Sequence, residues 1–317
     1  MTPHNIYIVF MANYDAREIF YTLAPGQPRS FDHILREEIE KAGFNLEFSS
    51  DASDLEDAAA IISWEINDAI LNNIIKHPTK NCVLLTFEPP MITPHYYHPA
   101  IKQYFGTIYT STDDLVDNET YFKLHTPSRS HLKVPDSLPE FSQRKLCVIV
   151  AGNKTINRRE EFYSQRRKVA TFFTKTGELD LYGFGWQGMS SWKGEAGNND
   201  KWNVLQNYRF NICYENSGPD GYITERLVDA FTCGCIPIYL GPDNTSNYIP
   251  KDCYLDIRDF SSYQSLYSFM KNMDQTTYDS YKAAARKFLE SPKIQCFSAE
   301  YIAKRIVEKI VRNLSNY

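Results

Sequence analysis

The chain has 317 residues, 43% of them hydrophobic, and a formal net charge of −5. A chain this long and this apolar fills two domain-sized cores. That excludes a disordered protein, and the mildly acidic balance gives no overall bias toward nucleic acid. Aromatic residues reach 14%, with 22 Tyr, but core packing accounts for most aromatic side chains and this abundance does not by itself mark a sugar site.

In chain order, Ile6–Ala12 predicts a first core strand, far too short to span a bilayer. Ser30–Ala42 predicts an amphipathic helix with Ser30 as N-cap and Gly43 as its stop. Phe44–Ser49 and Ala58–Trp64 read as strands, and Ala69–Lys76 as a short helix. Cys82–Phe87 is a continuous apolar run, as expected of a parallel strand covered on both faces. Pro89 and Pro90 stop it, which leaves Glu88 at the carboxyl end of a buried strand. Ligands gather at such ends, so Glu88 is a candidate functional acid, with a solvated loop carboxylate as the alternative.

The Pro-bearing segment 125–144 suits a linker. Lys145–Ala151 then begins a second set of strands, followed by a basic helix over Asn157–Phe173. Most of its cations, Arg158, Arg159, Arg166, Arg167 and Lys168, are expected on a solvated face, with one or two near the N-terminus free to meet an anion. Leu179–Trp186 predicts a strand broken at Gly183, and Lys201–Tyr208 a short helix. Another strand is expected near Tyr254–Ile257 and helices from Ser262 and Tyr278. The terminal helix, Ser298–Leu314, carries Ile302, Ile306, Val307 and Ile310 on one face and Lys304, Arg305, Lys309 and Arg312 on the other. Packing on the body of the protein is the favoured reading of that pattern; contact with an anionic membrane is the other. The seven Cys lie mostly in apolar runs without a C-x-x-C pair, which predicts buried free thiols rather than a zinc site. No signal-peptide pattern opens the chain, so the expected location is cytoplasmic or on the inner face of the membrane.

The stretch Tyr208–Ile249 concentrates the chemistry. Strand Phe210–Tyr214 runs into Glu215-Asn216-Ser217-Gly218-Pro219-Asp220-Gly221-Tyr222, a loop whose glycines bring backbone close to a ligand. A helix Glu225–Cys233 follows, with Thr224 as predicted N-cap. Arg226 in its first turn opposes the helix dipole; a bound diphosphate would explain it, and Glu225 could accept from two ribose hydroxyls. An ordinary Arg–Glu surface pair is the alternative. The chain lacks a P-loop, a strand-linked G-x-G-x-x-G and a D-x-D acid pair. A nucleotide diphosphate would then be neutralised by arginines, without a metal.

These residues resemble the α-1,3/4-fucosyltransferases of glycosyltransferase family 10, bacterial type. The likeness is carried by Tyr208-Arg209-Phe210 through Tyr214-Glu215-Asn216-Ser217, by Tyr222-Ile223-Thr224-Glu225-Arg226, and by Gly234-Cys235-Ile236-Pro237-Ile238-Tyr239-Leu240-Gly241. The resemblance implies a GT-B fold, two Rossmann-like α/β domains facing across a cleft. The expected division is 1–140 as the acceptor-side domain, 141–297 as the donor domain and 298–317 as a C-terminal amphipathic helix. It implies inverting transfer of fucose from GDP-fucose, a co-substrate, to an oligosaccharide or glycolipid hydroxyl, with no other cofactor and no nucleic-acid partner. Carried over, Glu88 resembles the general base, Arg159 and Arg226 the pyrophosphate clamp with Tyr222, Glu225 the ribose ligand, and Asn216 a group near fucose and phosphates. Many bacterial members have Lys where this chain has Arg226. The alternatives are a transferase using another GDP-sugar, or a nucleotide- or glycan-binding module without catalysis.

Overall fold

The computed structural model describes the chain apart from residues 1–4, 10–15, 24–28, 54, 56, 65, 77–80, 129–131, 133, 136, 197–200 and 316–317. It divides into two compact units: Met1–Ser130 together with Gln295–Tyr317, and His131–Ile294.

The first unit runs β1 (Asn5–Val9), α1 (Ala16–Tyr21), α2 (Phe31–Lys41), β2 (Asn45–Ser49), β3 (Ala58–Ser63), α3 (Asp68–Ile74), β4 (Cys82–Thr86), β5 (Thr107–Thr110) and β6 (Tyr121–Lys123). The strands pair in parallel in the order β2-β1-β3-β4-β5-β6. The predicted extension of β1 over residues 10–12 lies outside the described residues. Ser30 caps α2 as expected, and Gly43 ends it with φ of +87°. All five residues of β4 are buried, with Val83 and Leu85 in one core and Cys82 and Leu84 in the other. This is why the run is apolar without alternation.

The second unit runs β7 (Lys145–Val150), α4 (Tyr163–Thr176), β8 (Leu179–Tyr182), α5 (Lys201–Leu205), β9 (Tyr208–Tyr214), α6 (Arg226–Thr232), β10 (Ile236–Leu240), β11 (Leu255–Asp256), α7 (Tyr263–Asn272) and α8 (Gln275–Leu289). Its parallel order is β11-β10-β9-β7-β8. From β7 the chain crosses to β8 on one side, then returns to β9 on the other. The carboxyl ends of β7 and β9 therefore flank a topological switch point, where open α/β sheets bind ligands. Helix α8 begins at Gln275 rather than Tyr278, because Asp274 accepts from Thr277 N at 2.8 Å and caps it earlier. None of the seven cysteines is joined in a disulfide, and six of them are buried.

The last helix, α9 (Ala299–Ser315), does not stand apart as 298–317 suggested. It belongs to the first unit, where Ile302, Ile306 and Ile310 enter one core with Ile34, Leu35 and Leu85. Its apolar face is used up in that contact, which settles the packing reading over one in which that face lies on a bilayer. Lys304, Arg305 and Arg312 remain exposed, while Lys309 lies over the Phe122 ring at 4.6 Å. Among the described residues no helix is long and apolar enough to cross a membrane.

Candidate active site

The loop after β9 is built around a carboxylate that sequence reasoning did not single out. Glu215 follows a strand buried almost throughout and is itself fully buried. Its backbone N–H donates to Leu240 O on β10 at 2.8 Å, extending the sheet by one residue. Its Oε1 accepts from Thr224 N (2.9 Å), Thr224 Oγ1 (3.0 Å) and Tyr239 Oη (3.0 Å). Its Oε2 accepts from Thr224 Oγ1 (2.8 Å) and Arg226 Nη1 (2.7 Å). A buried carboxylate is tolerable only with such saturation and a counter-charge. Tyr239 reaches it because Gly241 leaves room: a Cβ at 241 would lie 2.3 Å from the Tyr239 hydroxyl.

This network changes two local expectations. Thr224 is not the N-cap of α6; its hydroxyl and N–H serve Glu215, and Glu225 takes the cap position without a side-chain cap bond. The Glu–Arg–Thr constellation also removes the conflict between Arg226 and the helix dipole. Burial works against the Arg226 charge, but Glu215 and Glu225 outweigh it and hold the guanidinium protonated more firmly than usual. Arg226 is still 20% exposed, so its free edge can face an anion.

Glu225 is paired differently. Lys201, the first residue of α5, donates to Glu225 Oε1 at 3.4 Å and to the buried Asp229 at 2.6 Å. Burial tends to raise the Glu225 pKa, yet Lys201 and Arg226 win and lower it from 4.5 to about 2. A depressed carboxyl stabilises the fold fully above its unfolded value and loses that contribution as pH falls from about 4.5 toward 2. The expected result is that replacing Glu225 by Gln shrinks the loss of unfolding free energy between pH 6 and pH 3, measured by urea denaturation. An equal loss in both proteins would refute the coupling.

Asn216 and Tyr222 meet directly: Asn216 Nδ2 donates to Tyr222 Oη at 3.4 Å, and both residues are buried. Arg166 props them from below. It was expected on a solvated face, but it is buried; it donates to Tyr214 O at 2.6 Å and Glu215 O at 3.2 Å, and more weakly to Asn216 Oδ1 at 3.5 Å. Burial, with Arg226 adding repulsion, pushes its pKa down to about 10. No linear signal distinguished Arg166 from its basic neighbours, whereas Glu215 could have been suspected as an acid directly continuing a buried strand.

The basic helix starts later than predicted, at Tyr163 rather than Asn157. Glu161 pairs with Ser217 in a short antiparallel bridge, Phe162 N donates to Asn216 O at 2.9 Å, and Glu161 Oε2 accepts from Ser164 N at 2.7 Å. These bonds hold the approach extended, so Arg158 and Arg159 sit on an exposed loop after β7, not on a helix terminus. The fold thus gathers Asn216, Tyr222 and Glu225 on one loop with Arg226 at the start of the helix that follows, and puts Arg159 on the loop at the other side of the switch point. Glu88 belongs to the first unit. It is half-buried at the end of β4, and its carbonyl accepts from Tyr97 Oη at 2.7 Å.

Solved structures share this architecture. An α1,3-fucosyltransferase superposes with a TM-score of 0.62 at 15% identity, covering 99% of this chain and 91% of the other. An α-glucosyltransferase in complex with UDP and DNA gives 0.62 at 11%, covering 97% and 99%. Two parallel α/β units of this kind define the GT-B class of glycosyltransferases. Residues 141–315 match the model of the glycosyltransferase family 10 (fucosyltransferase) C-terminal region. The chain therefore belongs to glycosyltransferase family 10, a family of fucosyltransferase enzymes. Among its relatives is a 4-galactosyl-N-acetylglucosaminide 3-alpha-L-fucosyltransferase 9 of Rattus norvegicus, 26% identical over 269 residues, 81% of this chain and 68% of the relative. An alpha-(1,4)-fucosyltransferase of Arabidopsis thaliana is 30% identical over 113 residues, 34% of this chain and 28% of the relative.

Proposed function

We propose that this chain transfers fucose from GDP-fucose to a glycan hydroxyl with inversion at the anomeric carbon. The proposed linkage is α-1,3, to an acceptor containing N-acetylglucosamine or a lipopolysaccharide. The observation that carries the reading is the Glu215-centred network, which fixes Arg226 at the switch point beside Asn216, Tyr222 and Glu225. The relative named above acts on a 4-galactosyl-N-acetylglucosaminide, and one structural neighbour was solved with GDP-fucose, which supports both donor and acceptor class.

In this reading Arg226 and Arg159 neutralise the diphosphate and stabilise its growing charge as the bond to fucose breaks, in place of a metal. Tyr222 and Asn216 add hydrogen bonds to phosphate and sugar. Glu225, held ionised, accepts from the ribose hydroxyls. Glu88 takes the proton of the acceptor hydroxyl as that oxygen attacks. Membrane contact through the apolar face of α9 forms no part of the reading, and the location proposed is cytoplasmic.

Incubating the protein with GDP-fucose and a panel of N-acetyllactosamine and core-oligosaccharide acceptors is expected to yield a fucosylated product and GDP. Competition with GDP-mannose and GDP-rhamnose reads donor choice. If neither transfer, slow donor hydrolysis nor calorimetric binding of GDP-fucose is seen, the reading fails.

A further inference from the structure

We propose that Phe184 is the stacking surface for the nucleobase of the donor; the proposal rests on the nucleotide-sugar reading and assigns a part of the site that reading leaves empty. Phe184 lies in the Gly183-Phe184-Gly185 loop at the carboxyl end of β8, the edge strand beside β7, which itself borders the switch point. It is 47% exposed, an unusual state for a phenylalanine on a loop so firmly held. Gly183 N donates to Gly194 O at 2.9 Å and Gly183 O accepts from Trp192 Nε1 at 2.9 Å. On the β7 side, Asn153 N donates to Phe184 O at 2.9 Å and Asn153 Nδ2 to Gly185 O at 2.8 Å. Buried Trp186 ties the same loop to Ala151 O at 2.6 Å.

A single exposed apolar side chain needs no functional explanation when it is loose on the surface. Here the backbone that carries the ring is pinned from both sides. The ring also rests against Gly152, where a Cβ would lie 2.4 Å from a ring carbon, so the loop after β7 is kept free of a side chain at the contact. The position suits a base. The Lys201–Glu225 pair joins the start of α6 to the start of α5, and α5 follows the β8 loop in the chain. A nucleotide with its diphosphate at Arg226 and its ribose at Glu225 would then direct its base toward the β8 side. An aromatic ring held in place there gains stacking energy without losing side-chain freedom.

The test is GDP binding by calorimetry to the full chain and to Phe184→Ala, Phe184→Leu and Phe184→Trp, with unfolding midpoints measured alongside. Leu keeps an apolar contact on Gly152 without a π face, so it guards against a misfolded Ala variant. Stacking predicts that Ala and Leu weaken GDP about tenfold or more with unchanged midpoints, and that Trp restores it. Ala and Leu binding GDP like wild type would overturn the proposal and leave the donor reading standing. A loss that tracks a lowered midpoint, or that Leu repairs fully, would also overturn it, since packing alone would then explain the ring. Wild-type protein that takes up no GDP would sink both.

Discussion

Glu88→Gln is expected to lower kcat by about 10²–10⁴-fold while calorimetric affinity for GDP-fucose stays at the wild-type level. The amide preserves size and shape but cannot accept the acceptor proton. The backbone around it is well fixed: β4 is buried throughout, Pro89 and Pro90 follow, and Tyr97 holds the Glu88 carbonyl. A failure of turnover is therefore not to be explained by a displaced loop. Retained turnover would remove Glu88 from the base role, and a parallel loss of donor affinity would make it a donor ligand instead. A binding module without catalysis predicts no functional change at all, so the same variant separates the two classes of protein.

Arg226→Ala is expected to do two things at once. It removes a cation from the proposed diphosphate clamp, and it strips the counter-charge from a carboxylate with no exposure to solvent. Breaking a buried pair from one side costs about 3–5 kcal/mol, so the variant should unfold at markedly lower denaturant as well as lose GDP-fucose affinity. The double variant Glu215→Gln with Arg226→Met separates the effects. Removing both charges should recover much of the stability, because Gln can still accept from Thr224 and Tyr239, yet donor binding should stay lost. If binding returns with stability, Arg226 acts only as a prop for the loop. If Arg226→Ala is as stable as wild type, the account of the Glu215 network is wrong.

Much of this was legible in one dimension because the chain repeats a simple pattern. Cys82–Leu85 is apolar on every residue and Phe210–Tyr214 on all but Asn211, the pattern of a short strand covered on both faces. The same logic placed polar loops at strand ends and pointed to Glu225 and Arg226, while Asn216 and Tyr222 were reached through the family resemblance. What escaped was decided by partners distant in sequence. Glu215 becomes a hub because Tyr239 arrives from a neighbouring strand, and Arg166 leaves solvent because the carbonyls of Tyr214 and Glu215 lie open to it. The start of α4 was misplaced for a similar reason, since the bridge between Glu161 and Ser217 joins two loops that periodicity treats as independent. The fate of α9 shows the limit most plainly: its stripe announced that it packs, not on which unit.

That fate has a bearing on how the protein is made. The core of the first unit stays open until α9 has left the ribosome, since Ile302, Ile306 and Ile310 are made after the whole of the second unit. The second unit, complete by Ile294, has all its strands and helices earlier. Nascent chains would thus finish their structures in the reverse of the order in which they begin them. A truncation that removes α9 would injure the half of the chain that is made first.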